Sequence, residues 1–240
     1  MFNHKARIVA SEDAGFMRIV LKIGGSVIAS PINPDLIAQY IALLKDLRAK
    51  GHEVAVVVGG GTLAREFIGI AKQLKLQEEA QDKIAISVSR LFAQLFLEKL
   101  GDIGCGAVPL TIEETAKCLS KGKVAVMGGL KPGMTTDTVA ALIVKKVKAD
   151  LLVKASDQDG VYDKDPRKYS DAVRFDHLSF ETLSLVFTKD KHEAGIHQIL
   201  DPEAIRLLRS RKAKVVVVNG FRPENVMTAV DGKRVGTLID

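Results

Sequence analysis

The chain has no tryptophan, and aromatic residues make up only 5% of its 240 positions. Val, Ile, Leu and Ala must therefore build its core, and a stacking platform for nucleic acid is lacking. There are two cysteines, Cys105 and Cys118, with no Cys or His at metal-ligand spacing beside either. That excludes a zinc module, and no disulfide is expected in what reads as a cytoplasmic enzyme. The five histidines are scattered and form no metal pattern. His177 and His197 read as surface or packing residues. No apolar run approaches the ~20 residues needed to span a membrane. Residues 1–16 carry His4, Lys5, Arg7, Glu12 and Asp13 without an apolar run, so they are no secretory signal. They read as a leader without an assigned role, ahead of Met17 and the first strand. No internal repeat and no low-complexity segment appears.

What is present suits a large buried core. The hydrophobic fraction is 47% and the net charge +6. A positive balance suits a polyanionic ligand. The basic residues are interleaved with acids, however, and Lys145, Lys146 and Lys148 mark one solvated helix face, which argues against nucleic-acid binding. Strands and helices alternate almost throughout. Strands are predicted at 18–23, 53–58, 107–110, 123–127, 150–155, 214–219 and near 237. Helices are predicted at 34–50, after 61, at 78–99, 112–120, 136–148, near 180–187, at 201–211 and near 224–230. Asn33 caps the first of these helices, with Pro34 at its first position. The continuous apolar run Glu53 to Val58 marks a parallel sheet covered on both faces. Residues 157–176 are polar and form a long loop or small hairpin. Residues 188–200 read as a polar loop or solvated turn. The pattern predicts an α/β fold, a three-layer αβα sandwich with a mostly parallel central sheet. Residues 17–240 form one domain, with halves at about 17–150 and 151–240.

Three glycine-marked turns each follow an apolar strand: Gly24-Gly25-Ser26, Gly59-Gly60-Gly61 and Gly128-Gly129. Glycine lets backbone approach a ligand closely, and the helix that follows offers free N–H groups to an anion. In such sheets ligands bind beyond the carboxyl ends of the strands, where all three turns fall. Neither a Walker A loop nor Gly-x-Gly-x-x-Gly is present. Lys22 stands inside an otherwise apolar strand, two residues before Gly24. It is either the partner of an anion or a lysine at an exposed strand edge, and the adjoining glycines favour the anion. Arg65, one turn into the helix after Gly61, can grip phosphate oxygens. The segment from Gly128 to Asp137 shapes a pocket and places Thr135 and Thr136 at a helix start. Asp137 is either a functional carboxylate or a first-turn acid favoured by the helix dipole. Phosphoryl transfer is the chemistry these parts suggest.

Together these residues resemble the amino-acid kinase superfamily and, within it, the uridylate kinases of archaeal type. The markers are Lys22-Ile23-Gly24-Gly25-Ser26, Val58-Gly59-Gly60-Gly61 with Arg65, Asp82, Pro132-Gly133 with Thr135-Thr136-Asp137, and Asp159-Gly160-Val161-Tyr162 with Asp165-Pro166. The resemblance implies Mg²⁺-dependent transfer of the ATP γ-phosphoryl group to UMP. It implies that Lys22 neutralises the group in flight and that Asp137 orients Lys22 or assists the metal. Gly24, Gly25, Ser26, Gly61 and Arg65 would serve the ATP phosphates, and Ser156, Asp157, Tyr162 and Asp165 would hold ATP. Gly60 and Asp82 would meet UMP, Asp82 at the ribose. Leu130, Lys131, Pro132, Gly133, Met134, Thr135 and Thr136 would wrap uracil and its phosphate. A homohexamer is implied as well. The sequence departs from the pattern at Asp157, where Asn is usual, which bears on ATP against GTP. It departs also at Ala85 and Phe92, where Gly and Asn are common, which bears on the UMP pocket. Other acceptors (acetylglutamate, carbamate, isopentenyl phosphate) and a non-catalytic nucleotide- or oxyanion-binding role on the same fold remain open at this point.

Overall fold

The computed structural model describes residues 15–183 and 199–240. The element order is β1 (Arg18–Ile23), α1 (Gly25–Ile28), α2 (Pro34–Ala49), β2 (Glu53–Val58), α3 (Gly61–Gln73), α4 (Glu78–Leu100), α5 (Ile112–Ser120), β3 (Ala125–Met127), α6 (Thr136–Val147), β4 (Leu151–Ser156), β5 (His177–Leu178), α7 (Pro202–Arg211), β6 (Lys214–Asn219), α8 (Glu224–Val230) and β7 (Thr237–Ile239). Residues 1–14 of the leader and most of residues 188–200, His197 among them, lie outside the described residues, as does half of the helix predicted near 180–187. Residues 180–183 are helical.

One sheet of seven strands runs in the order β3-β2-β1-β4-β6-β7-β5. Its pairs are parallel except β6 with β7. Side chains alternate across it. On one face Ile19, Leu21, Ile23, Val54, Val56 and Val153 pack with residues of α2, α4 and α8. On the other, Val20, Ala55, Val57, Leu152 and Val217 pack with α5, α6 and α7. The three-layer αβα sandwich with its mostly parallel sheet is thus observed. Burial on both faces explains the unbroken apolar runs, each such side chain contributing about 1.5–3 kcal/mol.

Helix ends follow their local chemistry. Asn33 accepts from the Leu36 N–H at 3.0 Å and caps α2. Thr111 does the same for α5 through the Glu114 N–H. The short α1 and β5 were not predicted.

Two expectations need correction. Residues 107–110 are not a strand, because Pro109 lacks an N–H and the Leu110 N–H is bonded to the Glu114 carboxylate at 2.6 Å. The sheet edge is instead extended by Gly104, which bridges to Val124 beside β3. Cys105, next to that bridge, is disulfide-bonded to Cys118 on α5, with their Cα atoms 6.0 Å apart. The bridge at Gly104 and the helix α5 that covers this edge bring the two cysteines together. Spacing along the chain carries no trace of this.

Candidate active site

β1 and β4 are neighbours in the middle of the sheet, and Lys22 is in register with Lys154. Both side chains project toward α6. Lys22 is only 7% exposed and Lys154 only 4%, so Lys22 is no edge lysine. Between them stands Asp137, in the first turn of α6. Its Oδ1 lies 2.8 Å from Lys154 Nζ and 3.5 Å from Lys22 Nζ. Burial alone would raise the Asp137 pKa, but Lys154 and then Lys22 outweigh it and hold the carboxyl below its ordinary value. Lys154 is pushed down from about 10.5 to about 8, first by burial and then by the Lys22 charge, against the pull of Asp137. Two ammonium groups share one carboxylate, which leaves a positive surplus in a low-dielectric place. An anion is the natural third partner. Lys154 escaped the sequence reading although its signal was that of Lys22, a lysine in an apolar strand.

The first two glycine turns pack on each other beside these lysines. Gly24 donates to the Ala155 carbonyl at 2.9 Å, which ties the turn to the end of β4. A Cβ on Gly25 would fall on the Gly61 backbone, and Gly61 itself takes a φ of +59°. Only glycine satisfies both positions. Ser26 lies in α1 directly after this contact. Arg65 is held at the rim by Thr62, with Nη2 to Oγ1 at 2.9 Å.

A cavity of about 440 Å³ opens beside the second and third turns, lined by Gly60, Ala64, Asp82, Ala85, Ile86, Ser89, Gly129, Lys131, Gly133, Met134, Thr135 and Thr136. α4 builds its wall. Asp82 accepts from the Gly133 N–H at 2.7 Å. Ser89 accepts from the Gly129 N–H at 2.7 Å. Arg90 donates to the carbonyls of Gly129 (3.0 Å) and Leu130 (2.9 Å). Positions 82, 89 and 90 lie on one side of a helix, so α4 clamps the loop at three points. Arg90 was not anticipated, since an arginine in a long helix has no sequence signal of its own. Ala85 does line the cavity, whereas Phe92 is buried in the core shared with β1 and β2 and does not shape it.

The residues expected to hold ATP group around the ends of β4 and β6 and the segment that follows β4. Ser156 is in register with Asn219, and its carbonyl accepts from Gly220. Asn219 donates to Asp159 at 2.9 Å. Tyr162 bridges to Arg174, so of the two forms expected for 157–176, long loop or small hairpin, the hairpin is observed. Asp165 is nearly buried and accepts from Arg167 through both its backbone N–H (3.0 Å) and its Nε (3.1 Å). The Arg167 hydrogen bonds hold the Asp165 carboxyl below its ordinary pKa. Asp165 therefore shapes its own loop, while Asp157 lies 3.9 Å from Arg167 and is more open. His177 is exposed and pairs with Asp240.

Across the sheet the order is cavity, lysine pair, 157–176 hairpin, over strands β3-β2, β1-β4 and β4-β6. A sequence model of the Amino acid kinase family matches residues 17–219. The chain belongs to the amino acid kinase family. This amino acid kinase is 40% identical to a uridylate kinase of Methanocaldococcus jannaschii over 226 residues, covering 93% of the chain and 100% of that protein. It is 41% identical to a uridylate kinase of Halorubrum lacusprofundi, with 92% of each covered. Among solved structures, the uridylate kinase of Archaeoglobus fulgidus superposes with a TM-score of 0.84 at 35% identity, over 93% of this chain and 100% of that one. The UMP kinase of Bacillus anthracis shares the fold at a TM-score of 0.78 and 22% identity, over 94% and 96%.

Proposed function

We propose that this amino acid kinase is a uridylate kinase, moving the γ-phosphoryl group of ATP to UMP to give ADP and UDP. The observation that carries the proposal is the Lys22–Asp137–Lys154 cluster at the junction of glycine turns and cavity. The identity with archaeal uridylate kinases over most of the chain supports the choice of acceptor.

The UMP phosphate is already an ionised nucleophile, so no general base is required. Catalysis reduces to alignment and to charge neutralisation on the transferring group. Lys22 and Lys154 supply the positive charge, and Asp137 holds both ammonium groups in place without cancelling them. The Gly25 and Gly61 amides with Ser26 and Arg65 receive the ATP phosphates next to Gly24, whose own N–H is spent on Ala155, and the glycines' lack of side chains lets the phosphate come close. Ser156, Asp157 and Tyr162 hold the rest of ATP, with Asp165 stiffening their loop. Gly60 meets the UMP phosphate, Asp82 the ribose, and Leu130 to Thr136 the base and phosphate. Among the described residues no three of His, Cys, Asp and Glu cluster as a metal cage, and Asp137 is engaged by two lysines. These residues suit Mg²⁺ that arrives on the ATP phosphates and supplies further charge neutralisation there.

α3, with Leu74 at its C-terminal cap, and α4 leave Phe67, Ile70, Leu74, Leu91 and Leu95 in water. These side chains support a homo-oligomer, a hexamer by the family resemblance. Among the described residues no helix is long and apolar enough to cross a membrane. A cytoplasmic site of action belongs to the same proposal.

An ADP-release assay across UMP, CMP, dUMP and acetylglutamate tests the proposal. Turnover highest with UMP is the expected result. Faster turnover with acetylglutamate overturns the acceptor. Tight ATP binding without turnover on any acceptor overturns the enzyme.

A further inference from the structure

Asp201 does more than cap a helix. It stands at the N-cap of α7, and its Oδ1 accepts from the Ala204 N–H at 2.9 Å. One oxygen suffices for that task, and Ser, Thr or Asn would perform it equally well. The same carboxylate also accepts from the Thr138 hydroxyl, at 2.8 Å on Oδ1 and 3.0 Å on Oδ2. Oδ2 further accepts from the Thr135 hydroxyl. Thr135 is itself the N-cap of α6 and accepts from the Thr138 N–H at 3.1 Å.

A hydroxyl has one hydrogen. With that hydrogen committed to Asp201, the lone pairs of Thr135 are turned toward the Thr138 N–H and the open side. One carboxylate thus sets the caps of two helices, from the two halves of the chain. Its partners on α6 are 63 and 66 residues away in sequence. The start of α6 carries what matters for the reaction. Thr135 and Thr136 line the acceptor cavity, and Asp137 follows immediately with both lysines on it.

We propose that Asp201 is a positioning residue that fixes the acceptor-side threonines from the donor half of the molecule, so that the cavity wall keeps its shape only while α7 is docked. The inference rests on the uridylate kinase reading for its kinetic form, not for its structural one.

Asp201→Ser separates the two tasks, because serine keeps the α7 cap but is too short to reach Thr135. The expected result is a KM for UMP raised ~10-fold with the KM for ATP changed less than ~2-fold, since a misplaced binding group weakens the substrate it touches. Thr135→Val is expected to act likewise, and the double variant to be no worse than Thr135→Val alone, the mark of two residues acting as one. Asp201→Asn, which keeps one acceptor oxygen in place, should fall between wild type and Asp201→Ser. Hydrogen exchange supplies a readout independent of turnover. In Asp201→Ser the amides of residues 136–139 should exchange ~10-fold faster while those of α7 stay as they are. Unchanged exchange at 136–139, or effects of Asp201→Ser and Thr135→Val that simply multiply, overturns the inference. So does a KM for ATP that rises as far as that for UMP. A wild-type chain that does not phosphorylate UMP sinks the activity reading alone, and the exchange experiment still decides this one.

Discussion

Lys22 and Lys154 bring two positive charges to one carboxylate, so the cluster is complete only when an anion joins it. An ammonium that meets charge developing on the transferring phosphoryl group acts mainly in the transition state. Lys22→Ala is therefore expected to lower kcat by ~10²–10³ while substrate KM values move less than ~3-fold. A variant with near-normal turnover would remove Lys22 from that role. Lys154 adds a pH signature. Its folded-state pKa of about 8 lies below the ordinary 10.5. Between those values the folded chain has released a proton that the unfolded chain still holds, so this group makes the fold more stable as pH rises. Activity runs the other way, because the neutral amine cannot balance phosphate charge. The expected profile of kcat/KM for ATP falls with an apparent pKa near 8, and Lys154→Arg moves that limb to higher pH. A wild-type profile flat to pH 9.5 would refute it. The proposed ATP site gives Asp157 a part in choosing the donor base. A carboxylate only accepts hydrogen bonds, and guanine offers donors where adenine offers an acceptor. Asp157→Asn is expected to raise the ATP-over-GTP ratio of kcat/KM by ~5-fold, and an unchanged ratio would leave Asp157 without a part in base choice.

Elements were legible where a single local rule governs them. The Asn33–Pro34 start of α2, the apolar run of β2 and the 112–120 span of α5 all lay open in the sequence, because capping and burial on two faces act over a few residues. The 107–110 segment misled because its apolar composition hid Pro109 and the Glu114 bond that consumes the Leu110 N–H. Of the site, the glycine turns and Lys22 could be read from position alone. The α4 clamp could not, since Ser89 and Arg90 gain meaning only from a loop some forty residues downstream. That clamp is testable. Ser89→Ala leaves the buried Gly129 N–H without its partner, a loss of about 1–3 kcal/mol. If the clamp shapes the acceptor cavity, the loss appears as a KM for UMP raised roughly 5- to 20-fold, with the KM for ATP unmoved. A fall in thermal stability with no change in either KM would make Ser89 a packing residue only.

For the molecule as a whole, the sheet acts as a ruler. The cavity, the lysine pair and the 157–176 hairpin succeed one another across its strands, and the proposed reaction sets UMP at the first, ATP at the last and the transferring group at the lysines between them. The acceptor end of that ruler is the sheet's thin edge. There β3 has three residues, with Gly104 alongside and α5 above. The Cys105–Cys118 bond joins the edge segment to the covering helix, thirteen residues on. A cross-link of that span limits the unfolded chain by about 3 kcal/mol in the loop-entropy account. In a chain of this size that amounts to roughly 6–12 °C in Tm. Reducing compartments work against such bonds, so the oxidised chain is best compared with itself. Without reductant, the unfolded protein should titrate no free thiol. With reductant it should titrate two and melt at least ~5 °C lower. Cys105→Ser/Cys118→Ser should melt with the reduced form and show no further response to reductant, because no other cysteine exists in the sequence. Two titratable thiols in the unreduced protein, or equal melting in both forms, would mean that the edge is held by the packing of β3 and α5 alone.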